Sequence, residues 1–365
     1  MKPASTTRTM QRARALMERC LRPGRASSLA AEFPLIFDER FSGRVVAYEE
    51  KGDVRSTCAM IVRDLVAQGA RLRVGLLGSV ATEGAWRGRG LAARVLEEAE
   101  ASLAREGCVA AFLWADDPNF YAARGYRPIG WEVDFVVPAA LLAQVKSDAV
   151  IRALAPDDFA AVQRMYSLHV ARVDRSAEET AALLNCPGML TLVLQRDRDV
   201  VAYACLGRGA DFPNTVHEWG GDQNDVVLLL AEHARRAQAA GHDGALALIA
   251  PPSATILRER MTSLGAEIVE GVLAMAKVID GEALSELFDR FGGELRAEHD
   301  VAQGQQSSVI VRGPLGRCAL SDEQALAVLF GVRGDRAAVL DLERVLGGVA
   351  PRLPLAPFVW GLDGI

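Results

Sequence analysis

The sequence predicts an α/β protein with mixed sheets, built as two copies of one fold in tandem and closed by a small α+β module. Three observations carry this reading. The chain has 365 residues, enough for two or three domains at about 100 to 200 residues each. The order helix, glycine, strand, helix, glycine, strand occurs twice, punctuated by Gly107 and Gly125 and again by Gly241 and Gly265. The stretch before the first of these helices alternates strand-like runs with short turns at Lys51-Gly52-Asp53 and near Gly69, which predicts an antiparallel meander and not a parallel βαβ unit.

The elements follow in order. MKPASTTRTMQRARALMERCLRP is basic and lacks the apolar centre of a secretory signal, so it reads as an amphipathic helix. FPLIFDERF, RVVAYEE, STCAMIVRDLVA and RLRVGLLGSVAT read as strands. A helix from about Gly90 to Glu106 places Leu91, Val95, Ala99 and Leu103 on one face. The apolar strand CVAAFLWA ends at Asp116 and Asp117, a short helix PNFYAARG follows, and WEVDFVVP is the last strand of a first domain, 1–140. A second domain, 148–280, begins with the strand and helix of VIRALAPDDFAAVQRMYSLH. It continues with a hairpin (TLVLQRDRDVVAYACLGRG), a helix (DVVLLLAEHARRAQAAG), a strand (GALALIAP), a helix (ATILRERMTSLG) and a final strand (EGVLAMAKVI). The remainder, 281–365, offers a helix (EALSELFDRFGG), a strand pair (SSVIVRGPLGRCAL), a helix start (SDEQALAVLFG) and a proline-punctuated tail (LPLAPFVWGLDGI).

Composition narrows the function. Hydrophobic residues make up 50% and charged residues 24% of the chain, a soluble globular balance with no apolar run of the roughly 18 residues a membrane span needs. Six scattered cysteines without a C-x-x-C pair, and five histidines, suggest neither a zinc nor a disulfide framework; no metal is expected, and the cytoplasm is the expected compartment. A net charge of −6 argues against nucleic acid and favours a small cationic partner. No membrane partner is expected, and homo-oligomerisation stays open.

The chemistry concentrates in TEGAWRGRGLAARVLEEAE, residues 82–100. Glycines that free the backbone before a helix N-terminus make an anion site, because the first helical amides point outward unpaired and the helix dipole favours negative charge. A P-loop would need a lysine and a hydroxyl that are missing here. The dinucleotide fingerprint matches Gly88-x-Gly90-x-x-Ala93 but would follow its strand directly, whereas Thr82 to Trp86 intervene. The third scheme, R-x-x-G-x-A with Arg87, Gly90 and Ala92, resembles the pyrophosphate-binding loop of the GNAT superfamily of N-acetyltransferases. FYAARGY, residues 120–126, resembles the FY-x-x-x-G-[FY] element of that superfamily.

The resemblance implies a tandem GNAT fold whose first copy uses acetyl-CoA as cosubstrate. Val80, Ala81 and Thr82 would pair with the pantetheine amides. Gly88, Arg89, Gly90, Leu91, Ala92 and Ala93 would hold the pyrophosphate, with Arg87 and Arg89 adding charge-assisted contacts. Asp116, Asp117 and Asn119 would line the far side of the splayed strands. Tyr121 would give a proton to the departing thiolate, with Tyr126 the competing choice. The base is open: VGLLGSVAT contains no acid, and Glu83 falls after the strand. The two copies plus a small third domain resemble the Eis-type multidomain acetyltransferases, with a sterol-carrier-like C-terminal domain and assembly into hexamers. That likeness implies the terminal carboxylate, here Ile365, as base, with Asp363 or a water as alternatives. The second copy has HEWGGDQNDVVLLL where the first has its loop. Without arginine, and with an acidic helix entry that opposes phosphate, it is not expected to bind a second CoA; Glu218, Trp219 and His217 are instead candidates for the wall of the acceptor pocket. The expected activity is acetyl transfer to a primary amine of a small cationic molecule or a lysine side chain. The alternative is a non-enzymatic CoA-binding sensor or scaffold, which the missing strand glutamate favours.

Overall fold

A computed structural model describes residues 7–24, 28–242, 244–300, 307–332, 337–347 and 353–365. The meander comprises β1 (Arg44–Glu50), β2 (Asp53–Ala67) and β3 (Ala70–Thr82). Its two turns place Lys51-Gly52 and Gln68-Gly69 at positive φ, the conformation that lets a two-residue hairpin match the twist of its strands. FPLIFDERF departs from expectation: Pro34–Phe37 is a helical turn. Pro34 stands in its first turn, where the missing N–H costs nothing, and the apolar run buries Leu35 and Ile36 as a helical face.

β4 (Ala110–Leu113) pairs parallel with β3, and the chain continues through β5 (Arg127–Ile129), β6 (Glu132–Pro138) and β7 (Val150–Ala153). β8 (Ala171–Val173), β9 (Leu190–Arg196), β10 (Asp199–Arg208), β11 (Asp211–Gly221), β12 (Ala245–Ala250), β13 (Glu267–Gly271) and β14 (Ala274–Val278) complete two seven-stranded mixed sheets. The first runs β1-β2-β3-β4-β14-β5, with β8 beside β2; the second runs β13-β6-β12-β11-β10-β9-β7.

These orders describe a reciprocal exchange. β6, from the first half of the chain, lies antiparallel between β12 and β13. β14, from the second half, lies antiparallel between β4 and β5. EGVLAMAKVI, expected as one strand, is therefore two, β13 and β14, that serve different sheets. Each sheet completes its hydrogen bonding only with a strand from the other half, so the ladders bind the two halves together.

The helix Leu91–Arg105 packs Leu91, Val95, Leu96, Ala99 and Leu103 against the first sheet. The helix Gln223–Ala239 covers the second. The third module has β15 (Arg296–Asp300), β16 (Ser308–Gly313) and β17 (Gly316–Ser321) in one sheet, with the helices Gly281–Phe291 and Asp322–Phe330. Phe330 meets Phe112 of β4 edge to face at 5.6 Å, and the Gly130 N–H donates to Gly331 O at 2.6 Å. From there the tail returns between the two large sheets, with Phe358, Trp360 and Leu362 buried.

Candidate active site

β3 outruns β4. The parallel pairing ends at Leu77 and Leu113, leaving Gly78 to Thr82 facing an opening toward the start of the helix Leu91–Arg105. Within this stretch the β2 register slips between Thr57 and Ala59, and Ser79 takes φ 47°. A non-glycine residue at positive φ inside a strand marks a bulge, a device that recurs beside active sites and turns the backbone locally. A cavity of about 930 Å³ fills the opening, lined by Val80, Ala81, Thr82, Arg87, Gly88, Gly90, Leu91, Ala92, Ala93, Asp116, Asp117, Tyr121 and Ile365. Arg89 and Asn119 lie outside its wall. The Arg89 guanidinium is stacked 4.5 Å over the Trp86 ring, and the Asn119 N–H donates to Asp117 Oδ1 at 3.2 Å.

Gly88 and Gly90 have φ of 75° and 73°, left-handed values that glycine adopts without strain. Gly90 is the N-cap of Leu91–Arg105 and carries no capping side chain. Among the described residues no acceptor takes the N–H groups of Gly88 to Ala93, so they remain available to an anion. Arg87 reaches back to Thr82 O at 3.4 Å, which keeps its guanidinium beside the loop. The helix start of the second half is the opposite case: Asp222 caps it with its own carboxylate, accepting from the Asn224 N–H at 2.8 Å. β11 and β12 also part there, after Val216 and Leu248. Trp219 bridges that gap, its Nε1 donating to Ile249 O at 3.1 Å.

The two tyrosines separate clearly. Tyr126 is buried and donates to Glu100 Oε1 at 2.9 Å, with Lys277 on the other carboxylate oxygen at 2.6 Å. Tyr121 lines the cavity, its ring held edge to face by Phe120 at 4.9 Å and Tyr126 at 5.9 Å. Its hydroxyl makes no hydrogen bond to another described residue. Burial pushes it up to about 12, so it keeps its proton throughout the neutral range.

Among the acids, Glu83 is ion-paired with Arg55 and so is not poised as a base. Asp363 is committed to Arg175, which donates to both of its oxygens at 2.7 Å, and to the Tyr166 hydroxyl at 2.7 Å. Glu218 belongs to the same fully buried network, paired with Arg175 and accepting from Tyr203 at 2.8 Å. It therefore faces the interior and not an acceptor pocket. Together with Arg208, whose Nη1 donates to Gly361 O at 2.8 Å and Gly364 O at 3.0 Å, this network fixes the tail. Ile365 is thereby laid on β3: a Cβ built on Gly78 would stand 2.6 Å from the Ile365 carbonyl carbon.

A second cavity of about 530 Å³ shares Phe33, Trp114 and Ile365 with the first and is lined further by Glu132, Asp134, His217 and Trp360. His217 thus belongs to this wall, whereas Trp219 lines a third cavity, on the side of the opened second sheet. Sequence reasoning did not single out Gly78, Glu132 or Asp134. The available signal was the alternation in WEVDFVVP, which puts two acids on one face of a strand whose other face is apolar.

Among the described residues no helix is long and apolar enough to cross a membrane, and no cluster of three or more His, Cys, Asp or Glu side chains is arranged for a metal ion. Residues 4–133 match the model of the acetyltransferase (GNAT) domain family. No curated protein matches the chain. Solved structures share its fold nearly end to end. A probable N-acyltransferase from Enterococcus faecalis superposes with a TM-score of 0.70 at 14% identity, over 98% of each chain. A GCN5-related N-acetyltransferase from Anabaena variabilis gives 0.67 at 12% identity, over 99% of each. Eis1 from Mycobacterium abscessus gives 0.57 at 14% identity, over 88% of this chain and 84% of that one. The uncapped loop amides and the Tyr121 hydroxyl both fall within residues 4–133, the part of the chain that matches the acetyltransferase (GNAT) domain family.

Proposed function

We propose that the chain moves the acetyl group of acetyl-CoA to a primary amine of a small cationic molecule or a lysine side chain. The observation that carries this reading is the convergence on one cavity of the loop residues Gly88 and Gly90 to Ala93, of Tyr121 and of Ile365. The amides and Arg87 take the pyrophosphate, while Val80, Ala81 and Thr82 pair with the pantetheine arm as a strand would. Acetyl-CoA supplies an activated acyl carbon as a thioester.

The chain's own groups manage protons. The Ile365 carboxylate takes the proton from the attacking nitrogen as the C–N bond forms, and Tyr121 gives its proton to sulfur as the C–S bond breaks. The resulting tyrosinate is reprotonated from solvent. The acidic wall of the second cavity and the net charge of −6 both favour a cationic acceptor.

Thiol release from acetyl-CoA, measured against a panel of amines, tests the reading. Tyr121→Phe should lower turnover by about 10²-fold or more with CoA affinity retained. Tight CoA binding by the wild-type protein with no turnover on any amine would instead support a sensor.

A further inference from the structure

β6 is the strand given up to the other sheet, and alternation along it puts Glu132, Asp134 and Val136 on one face. That face forms the floor of the second cavity. In register, Asp134 stands between Ile249 of β12 and Val269 of β13, both of which also line the cavity. Its neighbours across the sheet are thus hydrocarbon. Asp134 Oδ1 is buried with no hydrogen-bond partner among the described residues, and neither Asp134 nor Glu132 has an ion pair there.

A buried carboxylate oxygen without a partner is costly, and one that persists in a cavity calls for a ligand to explain it. Arg208, the cation in the same wall, does not serve, since its guanidinium is directed to the carbonyls of Glu32, Gly361 and Gly364. Phe33, Trp114 and Trp360 line the same cavity, aromatic surface suited to an aliphatic chain and to a cation over ring faces. Ile365 lies where this cavity meets the first.

We propose that Glu132 and Asp134 form the docking site for a second ammonium group of the acceptor, so that the preferred substrate is a diamine or polyamine with an apolar spacer. One ammonium is held at β6, the spacer lies along the aromatic wall, and the other nitrogen is presented at Ile365. Burial of both carboxyls, which raises Asp134 and pushes Glu132 up to about 8 beside it, is relieved when a cation arrives. This inference rests on the acetyltransfer reading above for its catalytic consequence, but the site itself is separable from turnover.

Three amines of equal chain length test it: hexylamine, hexamethylenediamine and aminocaproate. In the wild-type protein kcat/KM should be at least about tenfold higher for hexamethylenediamine than for hexylamine, with aminocaproate the poorest. In Glu132→Gln/Asp134→Asn the preference should collapse toward unity, with CoA affinity retained. The single variants carry the same test should the double variant not fold. Binding is read without chemistry by the rise in unfolding temperature that hexamethylenediamine produces in the wild type and not in the variants. A wild type that treats the mono- and diamine alike, or variants that keep the preference, would overturn the proposal. A diamine that stabilises the wild type through these carboxylates while no amine is acetylated would overturn the acetyltransfer reading and leave the site standing.

Discussion

The end of Ile365 occupies the space in which a side chain at Gly78 would project. The two residues are far apart in sequence, and their contact places Ile365 on the strand that borders the first cavity. Gly78 has an ordinary strand φ, since it is absent from the positive-φ residues. Its lack of a side chain therefore answers to packing and not to backbone conformation.

Gly78→Ala is accordingly expected to displace the tail without disturbing β3. Turnover should fall by about 10²-fold, the scale on which a misplacement of about 1 Å acts, while CoA affinity changes little. Steady-state kinetics with parallel calorimetry, on protein whose terminal residue is verified as Ile365 by mass spectrometry, makes the comparison. Unchanged turnover would remove the terminal carboxylate from the proposed chemistry.

Arg175 is the centre of the network that anchors the tail, with no exposed side-chain surface and carboxylates on both sides. Arg175→Met leaves Asp363 and Glu218 buried without their counter-charge. Breaking a buried pair from one side costs about 3–5 kcal/mol, and denaturant unfolding should show a loss of that order. A loss within the range of ordinary surface substitutions, about 0.5 kcal/mol, would mean that the network is not the anchor.

Glu132 is expected to make the stability of the protein sensitive to pH. Burial, with the Asp134 charge beside it, raises its carboxyl from 4.5 to about 8. A folded-state value above the unfolded one means a contribution fully present below pH 4.5 and lost as pH rises through about 8. Between those limits wild type should lose stability relative to Glu132→Gln by up to about 1.4 kcal/mol per pH unit. Asp134, Arg208, His217 and Ile365 share the cavity, and Asp134→Asn is expected to diminish the slope. Parallel stability curves for wild type and Glu132→Gln would contradict this.

Much of the site could be read locally, because its chemistry is local. Glycines at positive φ before a helix, and an aromatic element after the next strand, leave their mark within a few residues: Gly88 and Gly90 take positive φ, and Tyr121 lines the same cavity as they do. The antiparallel meander and the doubled order of helices and strands followed from periodicity and turn chemistry. The exchange of β6 and β14 did not, since a strand's pattern of apolar positions says which face is buried and not which sheet accepts it. The position of Glu132 and Asp134 is illegible for the same reason, since it depends on β6 lying between β12 and β13. The helical turn Pro34–Phe37 is not legible locally either, because a short apolar run fits either period.

The proposed acetyl transfer depends most on the amides of Gly88 to Ala93 holding the diphosphate of CoA. Hydrogen–deuterium exchange of the segment 87–95, followed with and without CoA, examines those amides directly. The expected result is strong protection of this segment on CoA addition, with no comparable change around 221–226, where Asp222 already caps the helix. CoA binding without protection at 87–95, or no binding by the folded protein, would contradict it.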